Sequence, residues 1–187
     1  MLVSDNHLKA KSYLKSIDGL THDDLADAMT YKWFRLNVMY HIKDKSGSKV
    51  LFQPNQEQES FYCGQHNRDI ILKARQLGFT TFKMISDLDD CLFIENFSAG
   101  CICHNLDSAK DIFRNKIKFA YNSITEDQRL LISEIGYEIP TPVSDKGNAY
   151  VFSNGSSIKV GTSYRGDTLQ SLHVSEFGKI CKKYPDK

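Results

Sequence analysis

The chain has 187 residues, of which 41% are hydrophobic and 25% charged, with only four Pro and a formal net charge of +1. That length supports one domain with a sizeable core, and the composition excludes a disordered, fibrous or low-complexity chain. The near-zero charge removes any global positive field, although a local basic groove is invisible in such a sum. Five cysteines (Cys63, Cys91, Cys101, Cys103, Cys181) are an odd count without CxxC spacing, which argues against a disulfide framework or paired zinc knuckle. Cys101 and Cys103 alternate along a predicted strand and read as small apolar core side chains. No apolar run approaches the ~20 residues needed to span a bilayer, and MLVSDNHLKAK lacks the apolar segment of a secretory signal, so a soluble intracellular protein is expected.

In chain order, Leu8, Tyr13, Leu14 and Ile17 share one face of a predicted first helix, which Ser4 or Asp5 caps. A short second helix is expected after Thr21, three residues before Asp24. The runs WFRLNVMYHI and KVLF flank the polar turn KDKSGS and predict a β-hairpin over residues 32–52. Asn55 is placed to cap a helix running through Phe61. Asp69–Leu72 is a candidate buried strand, KARQLGFTT a tight loop, and residues 80–93 a helix. A second strand is predicted over 97–103 and a helix over 106–121, with Ala109, Ile112, Phe113, Ile117 and Ala120 at helical spacing. Residues 123–147 read as polar and irregular, with Pro140 and Pro142 limiting any helix. A second hairpin is expected around Ser153-Asn154-Gly155, and a last strand over 171–175 delivers Glu176 at its carboxyl end. The strand and helix order predicts an α/β fold with a mainly parallel sheet and helices on both faces. Residues 1–52 form an N-terminal helical and hairpin segment and 53–187 the core.

Ligands in open α/β sheets bind beyond the carboxyl ends of the strands, where both Lys73 and Glu176 are expected. A phosphate-binding loop needs converging backbone N–H groups, a helix N-terminus, a cation and a hydroxyl for Mg²⁺, and residues 73–81 supply all four. On the pattern GxxxxGK[ST], Lys73 stands at the first Gly, Gly78 at the second, Phe79 at the Lys and Thr80 at the Ser/Thr. The two mismatches have a physical remedy, because lysine on its flexible stem reaches the phosphates from either end of the loop. Arg75 adds a second cation, suited to stabilising charge on a transferring phosphoryl group. Further on, LQSLHVSEFG reads as a strand ending in Ser175-Glu176. Motors of the phosphate-loop class end this strand in Asp-Glu, the Asp holding Mg²⁺ through water and the Glu orienting the attacking water. Glu176 fills the second role. Ser175 replaces the Asp with an uncharged hydroxyl able to bond a metal-bound water.

Together KARQLGFTT, the CICHN segment at 101–105, FSNGSSIKVGTSYRG at 152–166 and LHVSEFG at 172–178 resemble the ATPase domain of the large terminase subunits of tailed phages. The resemblance covers about residues 50–187, in the family's order and roughly its spacing. It implies a P-loop NTPase-type core in the cytoplasm of an infected or lysogenic bacterial host, hydrolysing ATP with Mg²⁺ to drive double-stranded DNA into a procapsid. Implied partners are the portal protein, the small terminase subunit and other copies of the chain in a ring. The implied cofactor-binding residues are Lys73, Ala74, Arg75, Gln76, Leu77, Gly78, Phe79, Thr80 and Thr81. Gln58 would recognise adenine, with Gln56 the alternative. The implied metal set is Thr80, Ser175 through water, and Glu176; the implied catalytic residues are Glu176 and Arg75. His104 and Asn105 match a segment of structural or coupling role. Lys116, Lys118, Lys159 and Arg165 are candidates for DNA phosphate contacts. Family members continue past the catalytic Glu with a coupling motif and a nuclease domain, so the expectation is a core truncated after this strand and lacking nuclease activity. The contrasting expectation is a degenerate module or prophage remnant that binds nucleotide, DNA or a terminase partner without turnover.

Overall fold

The computed structural model describes residues 4–72, 77–164 and 168–183. Helix α1 (Asp5–Lys15) opens where Ser4 Oγ accepts the N–H of His7, and α2 (His22–Met29) opens on a capping box between Thr21 and Asp24. These caps fall where polar residues precede apolar periodicity, because their side-chain oxygens satisfy amides the helix leaves open. In α1 the buried residues are His7 and Ala10, with Tyr13 and Leu14 packed against the core as expected, whereas Leu8 and, beyond the helix, Ile17 lie 56% and 41% exposed.

The predicted hairpin over 32–52 is shorter than expected. Residues Lys32–Val38 form helix α3, and only β1 (His41–Lys43) and β2 (Lys49–Leu51) pair, antiparallel, around KDKSGS. The aromatic and β-branched residues of WFRLNV favour a strand locally, but Trp33, Phe34 and Leu36 are all buried as a helix packed among α1, α2 and α5. Tertiary burial at ~1.5–3 kcal/mol per large apolar side chain outweighs a β preference spanning ~1 kcal/mol. The turn itself is held by Asp44 Oδ1, which accepts the amides of Ser46 and Ser48, with Gly47 at φ +85°.

Helix α4 (Gln56–Gly64) starts at the expected cap: Asn55 Oδ1 accepts from Gln58 N–H while Gln58 Oε1 accepts from Asn55 N–H. The expected strand at 69–72 is absent. Ile70 and Leu72 are 97% and 99% exposed, and no described strand lies beside them to complete a ladder. Helix α5 (Phe79–Phe93) and strand β3 (Ser98–Ile102) match expectation. Helix α6 (Leu106–Ile112) continues through a π-helical segment, Phe113–Lys118, into α7 (Phe119–Asn122). Residues 123–147, read as irregular, contain helix α8 (Glu126–Glu134) and strand β4 (Pro142–Asp145). Thr125 and Gln128 form a capping box at the start of α8, a signal the composition of the stretch concealed. Pro142 is accommodated because β4 is an edge strand.

Strands β5 (Ala149–Phe152), β6 (Ser157–Gly161) and β7 (Ser171–Val174) complete a sheet of order β4-β5-β6-β3-β7, followed by α9 (Phe177–Lys183). β3 runs parallel to β6 and β7, and β4, β5 and β6 are antiparallel neighbours, so the α/β sheet is mixed rather than mainly parallel. The four-residue connection between β5 and β6 dictates this, since parallel neighbours need a crossover of a dozen or more residues. Ala99, Cys101, Ile158, Val160, Tyr150 and Phe152 point to one face and are buried. On that face Cys91 of α5 contacts Phe97 and Ser157 carbonyls, and Phe113 and Tyr121 meet the Tyr150 ring edge-on. Among the described residues, helix α5 and the helical run 106–122 place these side chains on this face. The opposite face carries exposed Lys159 and Leu172, while Gly100 lies beneath Tyr164 and Leu169, which a Cβ would approach to 2.9 Å. One core cluster includes residues from both sides of position 52, from Trp33 and Phe34 to Ile158 and Val160.

The N-terminal helices are tied to α5 by buried charge. Arg35 donates to both Asp89 oxygens at 3.0 and 2.7 Å and to the carbonyls of Met29 and Thr30, and the Tyr40 hydroxyl donates to Asp89 at 2.7 Å. Burial disfavours the Arg35 charge, but the Asp89 carboxylate more than compensates and raises the guanidinium pKa.

Candidate functional site at the strand ends

Because β3 and β7 are parallel neighbours, the segments that follow them, His104-Asn105 and Ser175-Glu176, leave the sheet at the same end. The Ser175 N–H donates to Ile102 O at 2.9 Å, carrying the ladder one residue beyond β7. The start of α5 reaches the same place. Thr80 Oγ1 lies 3.2 Å from the buried Ser175 Oγ, although the two are 95 residues apart in sequence.

Gly78 precedes α5 at φ +68°, a left-handed conformation that favours glycine, and caps the helix without a side-chain hydrogen bond. The first-turn amides of this 15-residue helix therefore have no side-chain acceptor at the cap and carry the positive end of its dipole. Gln58 Nε2 donates to Leu77 O at 2.9 Å, and its Oε1 is engaged at the α4 cap. Gln58 thus holds the carbonyl preceding Gly78, while Gln56 is exposed on the first turn of α4. Phe79 turns inward: it is 6% exposed, with its ring 5.8 Å from Phe61 in edge contact. A lysine head group could not follow that path without burying its charge. Thr81 is partly buried in the same turn. Lys73, Ala74, Arg75 and Gln76, and Arg165, lie outside the described residues.

Glu176 adopts φ +55°, unusual for a residue with a Cβ, so the chain turns sharply as it leaves β7. Its Oε2 meets His104 Nδ1 at 3.0 Å and Lys179 Nζ at 2.9 Å. Asn105 Oδ1 accepts the Ser108 N–H at 2.7 Å as the cap of α6, and Asn105 Nδ2 lies 2.8 Å from His104 Nε2. Lys179 was not singled out from sequence; its spacing of three from Glu176 on a helix is the signal that finds it. A second link between α5 and β7 was also missed: fully buried Asp87 Oδ1 accepts from Lys83 Nζ and Ser171 Oγ, both at 2.8 Å. Cys101 and Cys103 are 0% and 2% exposed, as expected of core side chains, and the hydrogen bond between them together with burial pushes the Cys101 thiol up.

Among the described residues no group of three His, Cys, Asp or Glu is placed to hold a metal. Thr80, Ser175 and Glu176 offer oxygen donors with a single carboxylate. Such a set suits a hard cation that arrives with phosphate oxygens and keeps several waters, rather than an all-protein cage. Two of the candidate DNA contacts do not share a surface: Lys118 pairs with Asp145 at 2.5 Å beside β4, while Lys159 extends from the opposite sheet face over the Tyr164 ring. Burial lowers the pKa of Lys116. No helix among the described residues is long and apolar enough to cross a membrane. No protein-family model matches the chain, and no curated protein matches its sequence.

Proposed function

We propose that this chain is a P-loop-type ATPase core of a phage large terminase subunit, binding MgATP beyond the carboxyl ends of β3 and β7. The observation that carries the reading is the approach of Thr80 Oγ1 to Ser175 Oγ at 3.2 Å, because it unites two segments singled out for complementary roles in phosphate chemistry. A hydroxyl at the head of a helix and a strand-end hydroxyl beside a carboxylate are what a magnesium–phosphate group requires on its protein side. Mg²⁺ would supply neutralisation of phosphate charge. In this reading the α5 amides and Lys73 bind the phosphates, Thr80 would ligate the Mg²⁺ and Ser175 would hold a water bound to it. Glu176 accepts the proton of the attacking water, and Arg75 stabilises charge on the transferring group. The motor role, with double-stranded DNA, portal protein, small terminase subunit and ring partners, rests on the family resemblance.

A second reading, nucleotide binding without turnover, draws on Ser175, which brings no charge where a carboxylate is expected. Steady-state ATP hydrolysis with Mg²⁺ separates the two. The ATPase reading predicts measurable turnover that falls at least 100-fold in Glu176→Gln, in line with the loss of a catalytic base. Tight binding with no turnover in the unmodified chain sinks it in favour of the second reading. Affinity for duplex DNA should fall steeply with salt if phosphate contacts drive it.

A further inference from the structure

We propose that His104 is a positioning residue for the Glu176 carboxylate, with its tautomer set by Asn105; the proposal rests on the ATPase reading above. The chain of hydrogen bonds assigns each proton. Asn105 Oδ1 is committed to the Ser108 amide at 2.7 Å, since only an oxygen accepts from an N–H, and this fixes which end of the amide faces His104. Asn105 Nδ2 therefore donates to His104 Nε2 across 2.8 Å. With Nε2 accepting, the neutral ring carries its proton on Nδ1, which donates to Glu176 Oε2 across 3.0 Å. Lys179 Nζ meets the same oxygen at 2.9 Å.

Both of these contacts fall on Oε2, and two donors on one oxygen from separate elements set the rotation of the carboxylate. The backbone adds a second indication. Glu176 sits at φ +55°, in a region that is costly for a residue with a Cβ, and backbone outliers of this kind gather at functional sites. His104 is 25% exposed and Glu176 47% exposed, so the pair stands at the surface beyond the strand ends, where its loss leaves the core intact.

The test is steady-state ATP hydrolysis by the full chain and three variants. His104→Ala should lower kcat by about 10- to 100-fold with KM changed less than about twofold, the scale of a misplaced reacting group. His104→Gln, which keeps a donor, should recover part of that loss. Asn105→Ser keeps the α6 cap and removes the donor to Nε2, and should lower kcat by a smaller factor. In a Glu176→Gln background, His104→Ala should lower kcat no further. An unchanged or raised kcat in His104→Ala, in a chain that Glu176→Gln silences, overturns the positioning role and leaves the ATPase reading standing. An unmodified chain that binds MgATP and does not turn it over overturns both.

Discussion

The carboxylates of Asp89 and Glu176 each meet cations within 3.0 Å, yet the two regions are built on different terms. Asp89 is 0% exposed and Arg35 7%; the guanidinium fork, the Tyr40 hydroxyl and two backbone carbonyls satisfy the cluster, which pins the N-terminal helices to α5. Glu176 is 47% exposed, stands on a left-handed backbone, and takes His104 and Lys179 on its Oε2 beyond the strand ends. A saturated buried pair adds specificity and leaves no bonding capacity for a ligand. A half-exposed anchor costs little stability to alter and leaves the carboxylate in reach of water. The difference separates the charges that hold this fold from those suited to chemistry.

Substitutions sharpen that contrast, beginning with the largest effect. Arg35→Ala strands a buried carboxylate and should destabilise by about 3–5 kcal/mol in chemical denaturation, whereas Glu176→Gln should shift the midpoint little while removing turnover. A small effect for Arg35→Ala would erase the distinction. Gly78→Ala places a Cβ at φ +68° in front of α5; the left-handed conformation should cost about 1–2 kcal/mol, and the new methyl, 2.9 Å from Gln58 Nε2, should disturb the loop anchor and weaken nucleotide binding. Thr125→Ala removes the α8 cap, far from the strand ends, and should cost about 1 kcal/mol with unchanged hydrolysis. Smallest is a pH effect at Glu59. The Lys11 hydrogen bond, assisted by His7, holds its carboxyl below the usual range. A depressed folded pKa gives stability present above the ordinary carboxylate range and lost as pH falls through the folded value. Glu59→Gln should lower stability slightly at neutral pH and flatten part of the acid limb of a stability-versus-pH curve, where the unmodified chain loses the same contribution.

Helix α5, strand β3, the long helix through 106–122, the β5–β6 hairpin and β7 were legible because each has strong periodicity and clear ends. Helix α3 was not, since WFRLNV has strand-like side chains and only its neighbours make a helix the better burial. Helix α8 was marked by Thr125 and Gln128, but the surrounding polar residues masked a short apolar stripe. Asp69–Leu72 shows the converse: an apolar run reads as a strand, but a strand forms only where another lies beside it. At the site, Thr80 and Ser175-Glu176 could be singled out from local patterns. The link from His104 to Glu176 could not, because it depends on two strands being adjacent and parallel.

The most direct test is a titration of the full chain with a fluorescent ATP analogue and Mg²⁺, alongside Lys73→Ala, Arg75→Ala and Thr80→Ala. A MgATP site at the ends of β3 and β7 predicts saturable binding by the unmodified chain, lost chiefly in Lys73→Ala and weakened in Thr80→Ala. No binding by the unmodified chain, or binding indifferent to all three substitutions, would contradict it.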